Sequence, residues 1–126
     1  MLTELQEKWL QALESGGYKQ AIGDLCHDGN YCCLGVATEV FNPEHQALKD
    51  NGWDKWEVEG TVQTAPPDVV EALGLYSDTG RFDGFVGLDG ANYDALVDLN
   101  DGAKWTFKQI AAFIRENPEK VFKNHV

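Results

Sequence analysis

The residues best suited to chemistry are the thiols and imidazole of Cys26-His27 and the adjacent pair Cys32-Cys33. A cysteine at a helix N-terminus has its thiolate favoured by the helix dipole and by free amide groups, so Cys32 or Cys33 could act as a nucleophile. Such a nucleophile needs an adjacent base, and His27, His45 and His125 are the imidazoles available. A cysteine-dependent hydrolase or transferase would therefore use Cys32, Cys33 and His27. The competing reading is that the cysteines are small hydrophobes in the core, which free cysteine often is, and it is the favoured one. Cys26-x5-Cys32-Cys33 lacks a C-x2-C pair, so no metal site is expected, and no cofactor.

A second group is Tyr18-Lys19-Gln20, where a phenol, a cation and an amide converge if the segment lines a cleft. Lys19 is one of three basic residues before position 50, and it either meets an anionic ligand or pairs with a carboxylate at the surface. Asn100-Asp101-Gly102 is ordinary turn chemistry, and its side chains either fix a loop or present oxygens to a ligand. Asp78, Asp83, Asp89 and Asp94 do not match the spacing of a calcium loop and read as solvated carboxylates. Trp53, Trp56, Trp105 and Phe85 could stack a base or a sugar or anchor an interface, with core packing the default.

The elements that must position these residues follow from local pattern. Thr3 with Gln6 forms a capping box ahead of Leu5, Trp9, Ala12 and Leu13, and Gly16-Gly17 ends that helix. Tyr18 to Leu25 suits a short strand, and a reversal is expected at Asp28-Gly29-Asn30. Tyr31 to Phe41 is almost uncharged and suits a buried helix. Asn42-Pro43 opens a short helix toward Asp50, and Trp53 to Glu59 with Thr61 to Thr64 reads as a hairpin. Pro66-Pro67 opens a helix over Asp68 to Leu73, closed by Gly74. Tyr76 to Asn92 reads as loop and Tyr93 to Leu99 as helix. A second capping box, Thr106 with Gln109, precedes Phe107, Ile110, Ala111 and Ile114 at i, i+3, i+4, i+7. The expectation is one α+β domain over residues 1–126, with about five helices and a small antiparallel sheet. No Gly-rich turn follows a strand, so neither a doubly wound nucleotide fold nor a P-loop is supported.

Composition narrows the partners. The chain carries 21 acidic and 10 basic residues, a formal charge of −11, and is 43% apolar and 11% aromatic over 126 residues. That is enough apolar material for a core and argues against disorder. The middle is the acidic part: residues 51–100 hold 10 acids against 2 bases. Phosphate backbones and anionic membranes are bound by clustered Lys and Arg, so neither is an expected direct partner. No apolar run reaches the roughly 18 positions of a membrane span. The start MLTELQEKWL places glutamates where an export signal needs lysines, so reduced cysteines in a cytoplasm are expected.

The order of the pieces is more informative than any one of them. Tyr18-Lys19-Gln20, Gly23, Leu25, Tyr31-Cys32-Cys33-Leu34-Gly35-Val36, then Leu99-Asn100-Asp101-Gly102, Phe107, Ile110 and Ala111 resemble a family of small proteins of tailed bacteriophages. The resemblance spans residues 2 to about 116, and Pro66-Pro67-Asp68-Val69-Val70 is similar to that family's middle helix. It implies an accessory protein acting in the cytoplasm of the infected bacterial host, in counter-defence or host takeover, and supplies no activity. Two mechanisms fit. One is sequestration of a small anionic, nucleotide-type signal by Tyr18, Lys19, Gln20, Asn100, Asp101 and Trp105. The other is binding of a host protein, with the acidic middle steering association. An acidic DNA mimic and a virion component are further alternatives. Self-association, if present, is expected as a homodimer.

Overall fold

The computed structural model describes residues 2–20, 26–27, 30–44, 65–88 and 91–123. The expected helix toward Asp50 beyond Glu44 and the hairpin of residues 53–64 lie outside the described residues, as do His45 and His125. Helix α1, Glu4–Ser15, begins at the Thr3–Gln6 capping box and ends at Gly16, whose φ of 78° is left-handed. It buries Gln6, Trp9, Leu10 and Leu13. Three two-residue strands form the first sheet: β1, Lys19–Gln20; β2, Cys26–His27; and β3, Asn30–Tyr31. β3 lies in the middle, parallel to β1 and antiparallel to β2. Cys26 pairs with Tyr31 and His27 with Asn30, and Asp28-Gly29 of the expected reversal lie outside the described residues.

Cys32 then caps helix α2, Cys33–Phe41, through extended backbone and without a side-chain bond. Residues 33–38 of α2 are all buried, which explains its lack of charge. Helix α3, Pro67–Leu73, starts on proline and stops at Gly74 with φ 75°. Gln6 reaches across from α1, its Nε2 donating to the carbonyl of Leu73 at 2.8 Å, a buried bond that ties the two helices.

Here the structure departs from local expectation. Residues 76–92 are not simply loop, since strand β4, Arg81–Leu88, pairs antiparallel with β5, Ala91–Ala95. The register pairs Val86 with Tyr93, Gly87 with Asn92 and Leu88 with Ala91. The glycines at 84 and 87 break up the apolar alternation by which a strand is recognised. Tyr93–Ala95 is accordingly strand, not helix, and helix α4 spans Leu96–Asp101. Asn100 and Asp101 end that helix instead of forming a free turn.

The β4–α4 corner depends on one glycine. Gly80 has φ 71°, its carbonyl accepts the Leu96 amide at 2.9 Å, and a Cβ there would stand 2.8–3.0 Å from the Leu96 side chain. Helix α5, Phe107–Glu116, opens on the Thr106–Gln109 capping box and buries Phe107, Ile110, Ala111 and Ile114. A short α6, Pro118–Val121, follows, and Phe122 bridges back to Leu75. The described residues thus form an α+β domain with six helices, a small mixed sheet and an antiparallel hairpin. One core joins all six helices and β4, with Trp9 and Phe122 packed edge to face at its centre, 6.0 Å between ring centroids.

Candidate functional site

The Cys32 and Cys33 thiols lie inside this core. Cys32 is 2% exposed and Cys33 0%, and the Cys33 Sγ lies 3.9 Å from the carbonyl of Leu96. The Cys33 carbonyl accepts the Trp9 indole N–H at 3.0 Å. Thiols enclosed in this way behave as packing groups, since reactive cysteines are partly exposed and electropositive in surroundings. His27 belongs to β2, but the side chains of Cys26, His27 and Asp101 fall outside what is described.

The Tyr18-Lys19-Gln20 triplet splits by strand alternation. The half-buried Tyr18 donates its hydroxyl to Glu39 Oε1 at 2.6 Å and sets its ring edge-on to Tyr31. Burial, then the Glu39 carboxylate, pushes the Tyr18 pKa up to about 12. Lys19 is exposed. Gln20 turns inward, its Nε2 donating to Asn100 Oδ1 at 2.8 Å and to the carbonyl of Trp105 at 2.7 Å.

Asn100 is wholly buried, and its Oδ1 also accepts the backbone N–H of Cys33 at 3.3 Å. Gln20, Cys33, Asn100 and the Trp105 backbone therefore meet at one node that ties β1, the start of α2 and the end of α4 together. These polar atoms bond each other, and a buried amide satisfied on that scale is a fixed strut.

What the node positions is Trp105. The chain leaves α4 through Gly102, whose N–H bonds the Asp98 carbonyl at 2.8 Å, and the Trp105 N–H returns to Leu99 at 3.0 Å. Between them Lys104 adopts φ 57°, the only positive φ of a non-glycine among the described residues. The Trp105 ring meets Phe113 edge to face at 6.1 Å, and Phe113 rests on Phe82 at 5.0 Å.

Trp105 heads an open groove of about 360 Å³ along α5, lined by Gln109, Ala112, Phe113, Glu116 and Asn117. Positions 109, 112, 113 and 116 repeat at i, i+3, i+4, i+7, so they form one stripe, distinct from the buried stripe. Gln109 Oε1 accepts the Thr106 N–H, and Asn117 Nδ2 donates to the Phe113 carbonyl. Sequence reading nominated Trp105 and missed Gln109, Phe113 and Glu116. The signal was present, since this second stripe on α5 includes an exposed alanine and a phenylalanine.

A larger hollow of about 520 Å³ is lined by Pro67, Val70, Glu71, Asp78 and Lys123, with mixed charge and no aromatic ring. Among the described residues no cluster of three His, Cys, Asp or Glu could hold a metal ion. None of the described helices is long and apolar enough to cross a membrane.

Fold and site together define a small α+β protein whose polar motif residues are built into a strut behind an aromatic groove. The chain belongs to the family described as Domain of unknown function (DUF8296), whose model matches residues 1–118. No curated protein and no solved structure matches it.

Proposed function

We propose that this chain is a phage-encoded accessory protein that acts in the cytoplasm of the infected bacterial host by binding a host protein, in counter-defence or host takeover. The phage origin rests on the YKQ, CCLGV and LND motifs, and the binding reading on the groove. The observation that carries it is the Trp105–Phe113 corner, an aromatic surface left open on α5 and held from behind by the Gln20–Asn100 node. Aromatic anchors in a concave patch are the groups from which interfaces draw most of their affinity. The charge of −11 would speed association with a basic partner.

A second reading, sequestration of a small nucleotide-type ligand, draws on the same ring. Trp105 offers a stacking surface, and the exposed Lys104 and Lys108 stand close to it in sequence.

The test places a photo-crosslinking amino acid at Ala112, an exposed position in the groove, and irradiates infected cells. A covalent adduct with one host protein, absent when the same probe sits at exposed Glu4 on α1, supports the proposal. Native mass spectrometry that instead finds a retained compound of nucleotide size, with no protein adduct, selects the second reading.

A further inference from the structure

We infer that α5 pairs antiparallel with α5 of a second copy of this chain, about a two-fold axis at Ala112. This pairing is additional to host-protein binding and regulates it, because it covers the same groove. Lys108, Ala112 and Glu116 are exposed on α5. Spaced at i, i+4 and i+8, they form one line along the helix, on the side away from the buried Phe107, Ile110, Ala111 and Ile114.

The line is self-complementary. Lys108 and Glu116 stand equally far from Ala112, so turning one helix end for end brings Lys108 of each copy level with Glu116 of the other. Such a contact is isologous, each copy giving and receiving the same ion pair, and antiparallel alignment sets opposite ends of the two helix dipoles together. Alanine at the axis lets the helices approach to roughly 8 Å, the short end of helix-packing distances. Trp105 and Phe113, in the groove beside this seam, add apolar surface.

The charges on the line are withheld from pairing within the chain. On α1 the exposed Glu4 and Lys8 stand one turn apart and pair at 3.5 Å. On α5 an alanine occupies the position one turn from both Lys108 and Glu116, and neither has an ion-pair partner among the described residues. Arg115, adjacent to Glu116, is already engaged by Glu7 and Glu14.

The charge of −11 does not oppose the pair at its seam. Residues 101–126 hold five bases against three acids, while residues 1–100 hold the other 18 acids against 5 bases. The start of α5, with Lys104 and Lys108, is locally basic and meets the Glu116 end of the second copy. Because α5 has ten residues, about 15 Å of helix, the seam buries less than a standard interface. A dissociation constant of roughly 100 µM is therefore expected. Host protein and second copy compete for one surface, and the weakness of the self-contact lets the host protein displace it.

Sedimentation equilibrium of the full chain, from micromolar to millimolar concentration, reads the self-association. Lys108→Glu and Glu116→Lys each set like charges together at both ends of the seam, and each should weaken it by about tenfold or more. Both positions are exposed, so circular dichroism should show an unchanged fold. Mixed in equal amounts, the two variants should pair with each other, since one then carries only acids on the line and the other only bases. Combining both substitutions in one chain should restore the original association.

A monomer at millimolar concentration overturns the inference. So does a dimer that survives both single variants, or single variants that stay monomeric when mixed. The two levels separate cleanly. A monomeric chain that still cross-links a host protein at Ala112 overturns self-pairing and leaves the host-protein reading standing. A dimer broken by these variants, in a protein whose Ala112 probe captures no host protein, does the reverse.

Discussion

Gln20 and Asn100, eighty positions apart, meet in one hydrogen bond of 2.8 Å, and the same Gln20 nitrogen also holds the Trp105 carbonyl. A strand of two residues, the end of a six-residue helix and the loop before α5 are thereby fixed to one another. None of these pieces is long enough to hold its place by its own backbone bonds. The order of the YKQ and LND motifs along the chain thus corresponds to a physical join behind the groove.

That join predicts an order of stabilities. Asn100→Ala should cost about 3 kcal/mol, because it strands the buried Cys33 N–H and the Gln20 donor together. Gln20→Ala should cost about 1 kcal/mol, since its site is half-buried and water can replace the amide. Chemical denaturation of both variants measures the difference, and equal losses would contradict a node centred on Asn100. Gln20→Ala should also shift the Trp105 indole resonance.

Cys32 and Cys33 should be inert in the native protein. Cys32 and Cys33 are buried, so a thiol reagent should label them only as fast as the domain opens. Peptide mapping of the labelled protein separates them from Cys26. Rapid native labelling of Cys33 would place it at a reactive site.

Backbone strain gives opposite outcomes at two positions. Gly80→Ala adds a Cβ within 3.0 Å of Leu96 at a φ of 71°, so it should destabilise by about 2 kcal/mol or more. Lys104 holds a φ of 57° that glycine adopts freely. Lys104→Gly should therefore raise stability by roughly 0.5 kcal/mol, the relieved strain exceeding the added chain entropy. Thermal unfolding of the pair checks both signs.

Stability should fall at low pH through one clamp. Arg115 bonds Glu7 and Glu14 from α5 to α1, and those hydrogen bonds hold both carboxyls below the ordinary glutamate value of 4.5. The folded state therefore binds fewer protons than the unfolded chain below that value. The clamp's contribution is complete above pH 4.5 and is lost as the pH falls through the lowered folded values. Both ends are partly exposed, so Arg115→Ala should cost about 1 kcal/mol at neutral pH and nothing once the carboxyls are protonated. Denaturation of both proteins across the acid range should show the two curves converging.

At alkaline pH the sign reverses at Tyr18. Its phenol is pushed up to about 12 from an ordinary 10.0, so the folded state keeps a proton that the unfolded chain gives up. The stability this represents is whole below pH 10 and declines as the pH rises toward 12. Tyr18→Phe should remove that decline, and carbon NMR of labelled tyrosine should show Tyr18 titrating at the raised value.

Much of the fold is legible in short stretches of sequence. The Thr3–Gln6 and Thr106–Gln109 boxes and the Pro67 start and Gly74 stop of α3 all involve partners within four positions. Spacing alone suffices there, because caps and helical bonds close over a single turn. The β4–β5 hairpin was less legible. Its glycines hide the alternation, and the Tyr93–Ala95 strand runs directly into the Leu96 helix, so apolar spacing at Leu96 and Leu99 extends a helical reading too far back.

The site divides along the same line. Sequence by itself grouped Tyr18, Lys19, Gln20, Asn100, Asp101 and Trp105 as one expected ligand set, placed Cys32 and Cys33 at the start of a buried helix, and made the chain strongly acidic. Only the tertiary structure decided that Gln20 and Asn100 bond each other, that Lys19 faces away, and that Trp105 opens onto Phe113 and Glu116. The reason is physical. Hydrogen bonds that span eighty positions form only when the core closes, and which face of each short element turns inward is settled by that packing and not by its own few residues.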